Sequence, residues 1–467
     1  MRNNLILLTD SYKVSHHVQY PPETEKIYSY FESRGGQFEE TLFFGLQYYL
    51  KKYLEGAVVS KADIVEAEEL FSKHFGNNRL FNKAGWEHIV NKHGGRLPVS
   101  IKAVPEGSII PTSNVLMTIE NTDPNCFWLT NYLETLLVQV WYGTTVATLS
   151  HNMKKKILSY LEKTGDPSLI DFKLHDFGFR GVSSVESASI GGAGHLVNFM
   201  GTDTMAALVL ARDYYDADMA GFSIPAAEHS TITSWGMENE AKAMENMLIQ
   251  YPDGLVAVVS DSFNIYHACE KIWGELLKDK VLARNGTVVI RPDSGHPPKV
   301  VCTVLSILGE KFGYTVNEKG FKVLNPKVRV IQGDGCNFDM CNSILWEMQQ
   351  LGWSADNIAF GMGGGLLQNL NRDTQKFAFK CSAIKKNGEW SDVFKCPITD
   401  LGKISKAGRL RLQLEPNTSG GYSYHTVKND VQTYEDSLIE VFRDGEILKE
   451  YSFKEIRSIA HTQNENI

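Results

Sequence analysis

TVVIRPDSG, residues 287–295, decides the reading of this chain: four β-branched residues run on without polar alternation and stop at an Arg, a Pro, an Asp and a Gly. A short Val/Ile-rich run without alternation predicts a strand buried on both faces. The pattern recurs on either side. LHDFGFRG (174–181), GFSIPAAEHS (221–230) and LVAVVSDS (255–262) precede it, and VRVIQGDG (328–335) and IAFGMGGG (358–365) follow. Helical stretches such as FNIYHACEKIWGELL (263–277) separate them, mostly at the roughly 25 to 40 residue spacing of βα units. Buried strands alternating with helices make a parallel α/β sheet or barrel, with the active site in the loops at the C-terminal strand ends. Here those ends carry acids, a His, arginines and glycines, which suit an anionic, phosphorylated substrate.

The chain has 467 residues, more than one ordinary core holds, so two or three structural units are expected. A net charge of −8 argues against a general nucleic-acid binder while leaving room for a local basic pocket. The seven cysteines (126, 269, 302, 336, 341, 381, 396) are odd in number and contain no CxxC pair, as in a reduced cytosolic protein. Cys336 and Cys341 have no His or second Cys pair beside them to complete a zinc pattern. LILL (5–8) is too short for a signal-peptide core. CFWLTNYLETLLVQVWYGTTVATL (126–149), interrupted by Asn131, Glu134 and Gln139, reads as a buried or interface helix rather than a membrane span. The expectation is a soluble cytoplasmic protein that binds neither nucleic acid nor membrane.

Outside the βα region the pattern changes. KIYSYFESR (26–34) reads as a strand and ADIVEAEELFSKHF (62–75) as an amphipathic helix. PVSIKAVPEGSIIPTSNVLMTIE (98–120) reads as strands joined by Pro/Gly turns, and 151–163 as a basic helix. After about residue 375 hairpins take over, one around Asn387-Gly388 and another around Asp444-Gly445. The polar tail from about 461 is expected to fray.

Each run end has a chemical reading and a plain one. In IRPDSG (290–295), Arg291 suits a charge-assisted grip on phosphate, and Asp293 suits sugar hydroxyls or a hydrated Mg²⁺. Taken alone, the segment is first of all a type I turn. In AFGMGGGLLQ (359–368), Gly363, Gly364 and Gly365 let backbone N–H groups approach a phosphate, a better reading than a flexible connector. QGDG (332–335) follows the same logic. AAEHSTITSWG (226–236) offers Glu228 and His229, or simply a helix start capped by Ser230 or Thr231. In HDFGFRG (175–181), Phe177 suits stacking on a flat heteroaromatic ring and Arg180 an anion or carbonyl; core aromatics with a surface arginine fit equally. GTDT (201–204) offers Asp203 and LLTDSYKVSHH (7–17) offers Asp10 and Tyr12, with turns as the alternative. With no GxSxG, HExxH or GxxxxGK[ST] segment, what remains is phosphate chemistry without a P-loop.

These segments together carry a specific resemblance. TDSYKVSH (9–16), YFESR (30–34), HDFGFRGVSS (175–184), GTDT, IPAAEHSTITSWG (224–236), VVSDSFNIY (258–266), IRPDSG, VIQGDG, AFGMGGGLLQ and YSFKEIR (451–457) resemble the nicotinamide phosphoribosyltransferase family, in its order and spacing and over nearly the whole chain. The resemblance implies a type II phosphoribosyltransferase: an irregular α/β barrel over 166–372 and a mixed α+β domain built from both chain ends. In that domain, 1–165 supplies an α+β part with interface helices and 373–467 a β-rich part packing with it. It implies transfer of phosphoribosyl from phosphoribosyl pyrophosphate to nicotinamide, releasing pyrophosphate, as a step of NAD salvage. It also implies Mg²⁺, coupled ATP hydrolysis through a phosphohistidine, and a homodimer with shared active sites.

The resemblance also assigns roles. Phe177 and Tyr12 of the partner subunit would sandwich the pyridine ring, with Asp10 nearby. Asp203 would accept from the carboxamide NH₂, and Arg180 would lie near the carbonyl and the phosphate. His229 matches the phosphorylated histidine. Arg291, Asp261 and Asp293 fall on the sugar, pyrophosphate and Mg²⁺ side. Gly333, Asp334, Gly363, Gly364 and Arg372 match the ribose and 5′-phosphate pocket, and Arg34, Lys380 and Lys403 match cations reaching the phosphates, some across the dimer. Phe179, Ala257 and Ala378 stand where animal members carry a Tyr, a Ser and a Ser, each change losing a hydroxyl. The nearest rival is nicotinate phosphoribosyltransferase, whose carboxylate-bearing base Asp203 would repel. A rival of another class is a cytokine-like signalling protein.

Overall fold

The computed structural model describes residues 4–400, 403–417 and 421–465. It divides into two compact units. The first comprises Met1–Thr148, Asp213–Ala217 and Asn371–Ile467, and the second Leu149–Arg212 and Asp218–Leu370. The first crossing falls within one helix, Val140–Thr164, rather than at residue 165.

The second unit is built on six parallel strands: β1 (Leu174–Asp176), β2 (Gly201–Thr202), β3 (Asp253–Val259), β4 (Asn285–Arg291), β5 (Val328–Gln332) and β6 (Ile358–Met362). They lie in the order β2-β1-β6-β5-β4-β3. Val288 is a hinge of the register, opposite Val328 on one side and Val256 on the other. Ala257, Val289 and Ile331 pack together on one face with Phe177, Ile224 and Ala359. The alternate residues Val256, Val258, Val288, Ile290 and Val330 are completely buried as well. Apolar residues on both faces are why these strands show no alternation in sequence.

The two edges of this sheet are joined by Phe222–Ala227. Gly201 at the β2 edge bridges Phe222, and Ala257 at the β3 edge bridges Ala226, both in parallel sense. Thr202 N–H donates to the Phe222 carbonyl at 3.0 Å, and Ala257 N–H to that of Pro225 at 2.9 Å. The segment thus closes the barrel, though not as the regular strand read from its sequence. Pro225 has no N–H to give to a ladder, so only its ends pair. The fully buried Lys173, just before β1, ties the barrel at another point. Its ammonium donates to the carbonyls of Ala355, Asp356 and Ile358 at 2.8–3.1 Å, and burial presses its pKa down to about 7.

The first unit is organised by a seven-stranded antiparallel sheet that draws on both chain ends. Its order is Glu389–Asp392, Phe377–Lys386, Thr24–Ser33, Val115–Asn121, Val99–Ala103, Ile439–Arg443, Glu446–Ile447. The two hairpin turns form as expected, with Asn387 and Gly388 at φ 49° and 81° and Asp444 and Gly445 at φ 50° and 85°, the left-handed pair that a two-residue turn requires. Helix Lys61–Phe75 starts at a reciprocal Ser60/Asp63 capping box.

Two expectations about helices need correction, and a third stretch, 263–277, is helical as expected but with an unusual winding. The stretch 126–149 is not one helix; it breaks into Leu129–Tyr132, Glu134–Leu137 and the start of Val140–Thr164. Among the described residues no helix is long and apolar enough to cross a membrane. Within 263–277 only Ile265–His267 is an ordinary α-turn, and Ala268–Leu276 is wound wider, with i→i+5 bonds such as Leu277 N–H to the Ile272 carbonyl. The tail is helical over Phe453–Glu465. Ser452 and Glu455 cap its start in both directions, Glu455 N–H donating to Ser452 Oγ and Ser452 N–H to the Glu455 carboxylate, which offsets the polar composition.

Candidate active site

At the end of β1 the chain turns sharply over β6. Phe177 N–H donates to the Met362 carbonyl at 3.0 Å, and Gly178 N–H donates to the buried Asp176 carboxylate at 2.7 Å. The Phe177 ring settles over Gly361, so close that a Cβ on that glycine would stand 1.9 Å from it. The ring is thereby fixed as a flat wall beside His175, whose centroid is 5.1 Å away.

Asp203 follows β2. Its N–H donates to the Asp176 carbonyl at 3.0 Å, and its Oδ1 meets His175 Nε2 at 2.9 Å and accepts from the Ser223 hydroxyl. Burial pushes this carboxyl up, but the His175 and Ser223 hydrogen bonds and the charge of Arg291 hold it below the usual carboxylate range. Asp203 is therefore an ionised, oriented acceptor.

Phe177, Arg180, Asp203, Arg291 and Asp293 line a cavity of ≈ 920 Å³, together with residues 333–337 and 363–365. Arg291 ends β4, and its NH2 lies 3.7 Å from Asp293 Oδ2. The Arg291 Nε is buried without a hydrogen-bond partner, a donor suited to an incoming anion. Of the phosphate-loop residues, Gly333, Asp334, Gly363 and Gly364 all reach this cavity. Gly365 is needed for a different reason, since its Cβ would strike the Cys336 carbonyl at 2.5 Å.

His229 is the first residue of a short helix, His229–Thr233, that begins where the barrel-closing segment ends. Its Nε2 is 3.0 Å from Asp261 Oδ1, and its Nδ1 is 3.8 Å from Asp293 Oδ2. Asp261 Oδ2 accepts from Asp293 N–H at 3.1 Å and from the Ser294 hydroxyl at 2.6 Å. Both oxygens of Asp261 are thus engaged in holding the histidine and the 293–294 turn. Asp293 is the more available carboxylate. Burial and the charges of Asp261 and Asp334 push it above the usual range, against Arg291 and His229. Acids gathered beside an arginine in this cavity fit a hydrated divalent cation, with Asp293 the better placed to meet it.

The remaining candidates lie in the first unit. Asp10, Tyr12, Arg34, Arg372 and Lys380 line a cavity of ≈ 180 Å³. Asp10 accepts from the Thr135 hydroxyl at 2.8 Å, and Tyr12 is 59% exposed. Burial, with Arg34, Arg372 and Lys395 nearby, lowers the Lys380 pKa against the pull of Glu134. Arg34 Nε is buried without a partner. Mutually repelling cations with an unused donor again suit an anion. Lys403 lines neither this cavity nor the larger one, and pairs with Asp400 at 3.0 Å.

The residues that sequence reasoning passed over are the supports: His175 and Ser223, which hold Asp203, and Asp176, which pins the turn that carries Phe177. His175 and Asp176 sit in the quoted LHDFGFRG run and Ser223 in GFSIP, but nothing local marks them as partners of a residue up to 28 positions away.

Known proteins resemble this chain over nearly its whole length. The model of the nicotinate phosphoribosyltransferase (NAPRTase) family matches residues 172–446, and that of the nicotinamide phosphoribosyltransferase N-terminal domain matches residues 4–101. A nicotinamide phosphoribosyltransferase of Xanthomonas campestris pv. campestris (strain 8004) is 52% identical over 98% of both chains. One of Acinetobacter baylyi is 32% identical over 98% of this chain and 97% of its own. Two solved structures share the fold at a TM-score of 0.61. They are nicotinate-nucleotide pyrophosphorylase from Pyrococcus furiosus, 17% identical over 99% of this chain and 96% of its own, and human nicotinic acid phosphoribosyltransferase, 15% identical over 99% and 94%.

Proposed function

The chain belongs to the nicotinamide phosphoribosyltransferase family, and on that premise we propose that it transfers phosphoribosyl from phosphoribosyl pyrophosphate to nicotinamide, giving nicotinamide mononucleotide and pyrophosphate. The observation that carries the choice of base is Asp203, kept ionised by His175 and Ser223 in the cavity walled by Phe177. A carboxylate accepts from a carboxamide NH₂ and repels the carboxylate of nicotinate.

In the reaction the pyridine nitrogen attacks C1 of the ribose as pyrophosphate leaves. The nitrogen is a neutral nucleophile and needs no general base. The transition state resembles an oxocarbenium ion, so the enzyme holds the partners in line and neutralises the leaving group. Phe177 and Asp203 orient the ring. Arg291 and the glycine backbone at 333 and 363–364 take the phosphates, with Arg180 between base and phosphate. Mg²⁺, when bound with the substrate near Asp293, supplies charge neutralisation of the pyrophosphate.

Coupling to ATP is part of the same proposal. With Nε2 held by Asp261, His229 presents the Nδ1 lone pair. That nitrogen takes the terminal phosphoryl group, the N–P bond forming as the P–O bond to ADP breaks. The protein works as a homodimer in which Tyr12, Arg34, Arg372 and Lys380 of one subunit complete the site of the other, with Asp10 lining the same cavity as Tyr12. Seven unpaired cysteines suit a reducing cytoplasm.

The test is incubation with phosphoribosyl pyrophosphate and Mg²⁺, offering nicotinamide or nicotinate, with the product identified by mass. Nicotinamide mononucleotide as the preferred product supports the proposal. Preference for nicotinate would transfer the reading to the rival activity.

A further inference from the structure

The first unit holds a cluster that phosphoribosyl transfer does not use. Helix Lys83–His93 carries His88 and His93. The turn after strand Val115–Asn121 carries Asp123 and Cys126. Asp123 Oδ1 is committed locally, accepting from Asn125 N–H at 3.0 Å. Its Oδ2 collects three donors at once: His88 Nε2 at 2.9 Å, His93 Nε2 at 2.7 Å and Lys92 Nζ at 2.8 Å. The Asp123 side chain is 3% exposed, and Cys126 is fully buried. Ligand atoms of His88, Asp123 and Cys126 lie within 4.8 Å of one another.

We propose that His88, Asp123 and Cys126 bind a zinc-class divalent cation, with His93, which meets Asp123 Oδ2 but lies outside their mutual 4.8 Å set, swinging in as the fourth ligand. In tetrahedral zinc sites the bonds of about 2.0–2.3 Å place ligand atoms about 3.3–3.8 Å apart, so side-chain rotations on the order of an ångström close the set of three, and His93 moves further. One thiolate, one carboxylate and two imidazoles suit Zn²⁺, whereas Mg²⁺ and Ca²⁺ take oxygen ligands. The Asn125 N–H on Oδ1 leaves Oδ2 for the metal and fixes the carboxylate plane, as outer partners of metal ligands do.

Lys92 holds the place of the cation in the metal-free protein. Its side chain is 56% exposed, so it swings into water when the metal enters. Binding displaces that ammonium, shifts the proton of each ligating imidazole from Nε2 to Nδ1 and releases the Cys126 thiol proton to solvent, and the site stays neutral overall. The cation ties helix Lys83–His93 to the 123–126 turn, a structural role within the first unit. The competing account is a metal-free ion-pair hub in which Lys92 and the two imidazoles neutralise Asp123.

The two accounts differ in what Lys92 does. The full-length protein is stripped with a chelator and titrated with Zn²⁺ against a chromophoric zinc indicator, and with Co²⁺ by absorption spectroscopy. Melting curves confirm that each variant is folded. The expected results are one Zn²⁺ per chain and a cobalt–thiolate charge-transfer band. Cys126→Ser abolishes that band, and His88→Gln weakens zinc binding by about tenfold or more. Lys92→Ala tightens zinc binding, because the competing cation is gone. A folded wild type that takes up no zinc, a cobalt complex without a thiolate band, or a Lys92→Ala variant with unchanged or weaker zinc affinity would overturn the site.

Discussion

The ring of Phe177 occupies the space where a side chain on Gly361 would begin, with 1.9 Å between its edge and that missing Cβ. The glycine in β6 therefore sets the height of the Phe177 wall, on which the proposed function stacks the base. Gly361→Ala should lift the ring and raise KM for nicotinamide by about tenfold or more, since displacements near 1 Å carry effects of up to about a hundredfold. KM for phosphoribosyl pyrophosphate should move little. In a double-mutant cycle, Gly361→Ala should add almost nothing to Phe177→Ala, because both act through one ring. Additive effects would mean that the glycine serves something else.

Base choice should depend on Asp203 and its supports. Asp203→Asn should cut kcat/KM for nicotinamide and narrow the gap to nicotinate by on the order of 1–3 kcal/mol. His175→Ala should act in the same direction through pH. Asp203 is held below the usual carboxylate range, so wild-type discrimination should persist as the solution is acidified through ordinary carboxylate pKa values. Loss of the His175 hydrogen bond should move the onset of that decline to higher pH. A ratio between the bases that stays constant in both variants, alongside a lowered melting temperature, would assign Asp203 a structural role alone.

Treatment with ATP should leave an acid-labile phosphate on His229, seen by intact mass and peptide mapping. His229→Ala should abolish it and uncouple ATP hydrolysis from transfer. Asp261→Asn should slow phosphorylation while preserving the peptide that carries it, because Asp261 orients the imidazole through Nε2. Label recovered on any other residue would count against His229.

Completion of the site across a dimer is testable by mixing. Tyr12→Ala and Phe177→Ala subunits, each impaired alone, should regain activity after exchange, with about one intact site per heterodimer. No recovery after confirmed exchange would mean that the two rings belong to the same subunit's site or that only one is needed.

The first unit should show its own pH signature. Glu106 is buried and accepts from Gly45 N–H, Gln47 N–H and the Tyr215 hydroxyl at 2.6–3.1 Å. Burial still pushes its carboxyl from 4.5 up to about 7. The folded chain thus holds this proton more tightly than the unfolded one. Its contribution to stability is full below about pH 4.5 and is lost as the pH climbs through about 7. Between those limits the melting temperature of wild type should fall relative to that of Glu106→Gln, by an amount on the order of 3 kcal/mol in stability. Parallel curves would show that Glu106 stays ionised throughout.

Much of this was legible in the sequence because the barrel strands are buried on both faces. TVVI, LVAVV and VRVI could be read from composition, and the Asn-Gly and Asp-Gly turns from the backbone conformations they require. The apolar residues of the closing segment give it the pattern of a strand, and Pro225 makes it something looser. The 126–149 stretch has the hydropathy of one helix, because hydropathy does not report where turns break a buried run. The polar composition of the tail hides a helix whose start Ser452 and Glu455 cap. His175 and Ser223 became visible only as neighbours of Asp203, since a hydrogen-bond partner remote in sequence leaves no local pattern. The His88/Cys126 cluster was hidden for the same reason, its members being split between a helix and a turn.

The arch Phe222–Ala227 gives the barrel its last stave, and the same short peptide has Ser223 near one end and leads directly into His229 at the other. On the roles proposed for Asp203 and His229, base choice and ATP coupling therefore hang from a single keystone with pairing only at its ends. A shift of one residue in that stone would detune the recognition of the base and the seating of the histidine together, so the two properties are mechanically bound to drift, or to hold, as one.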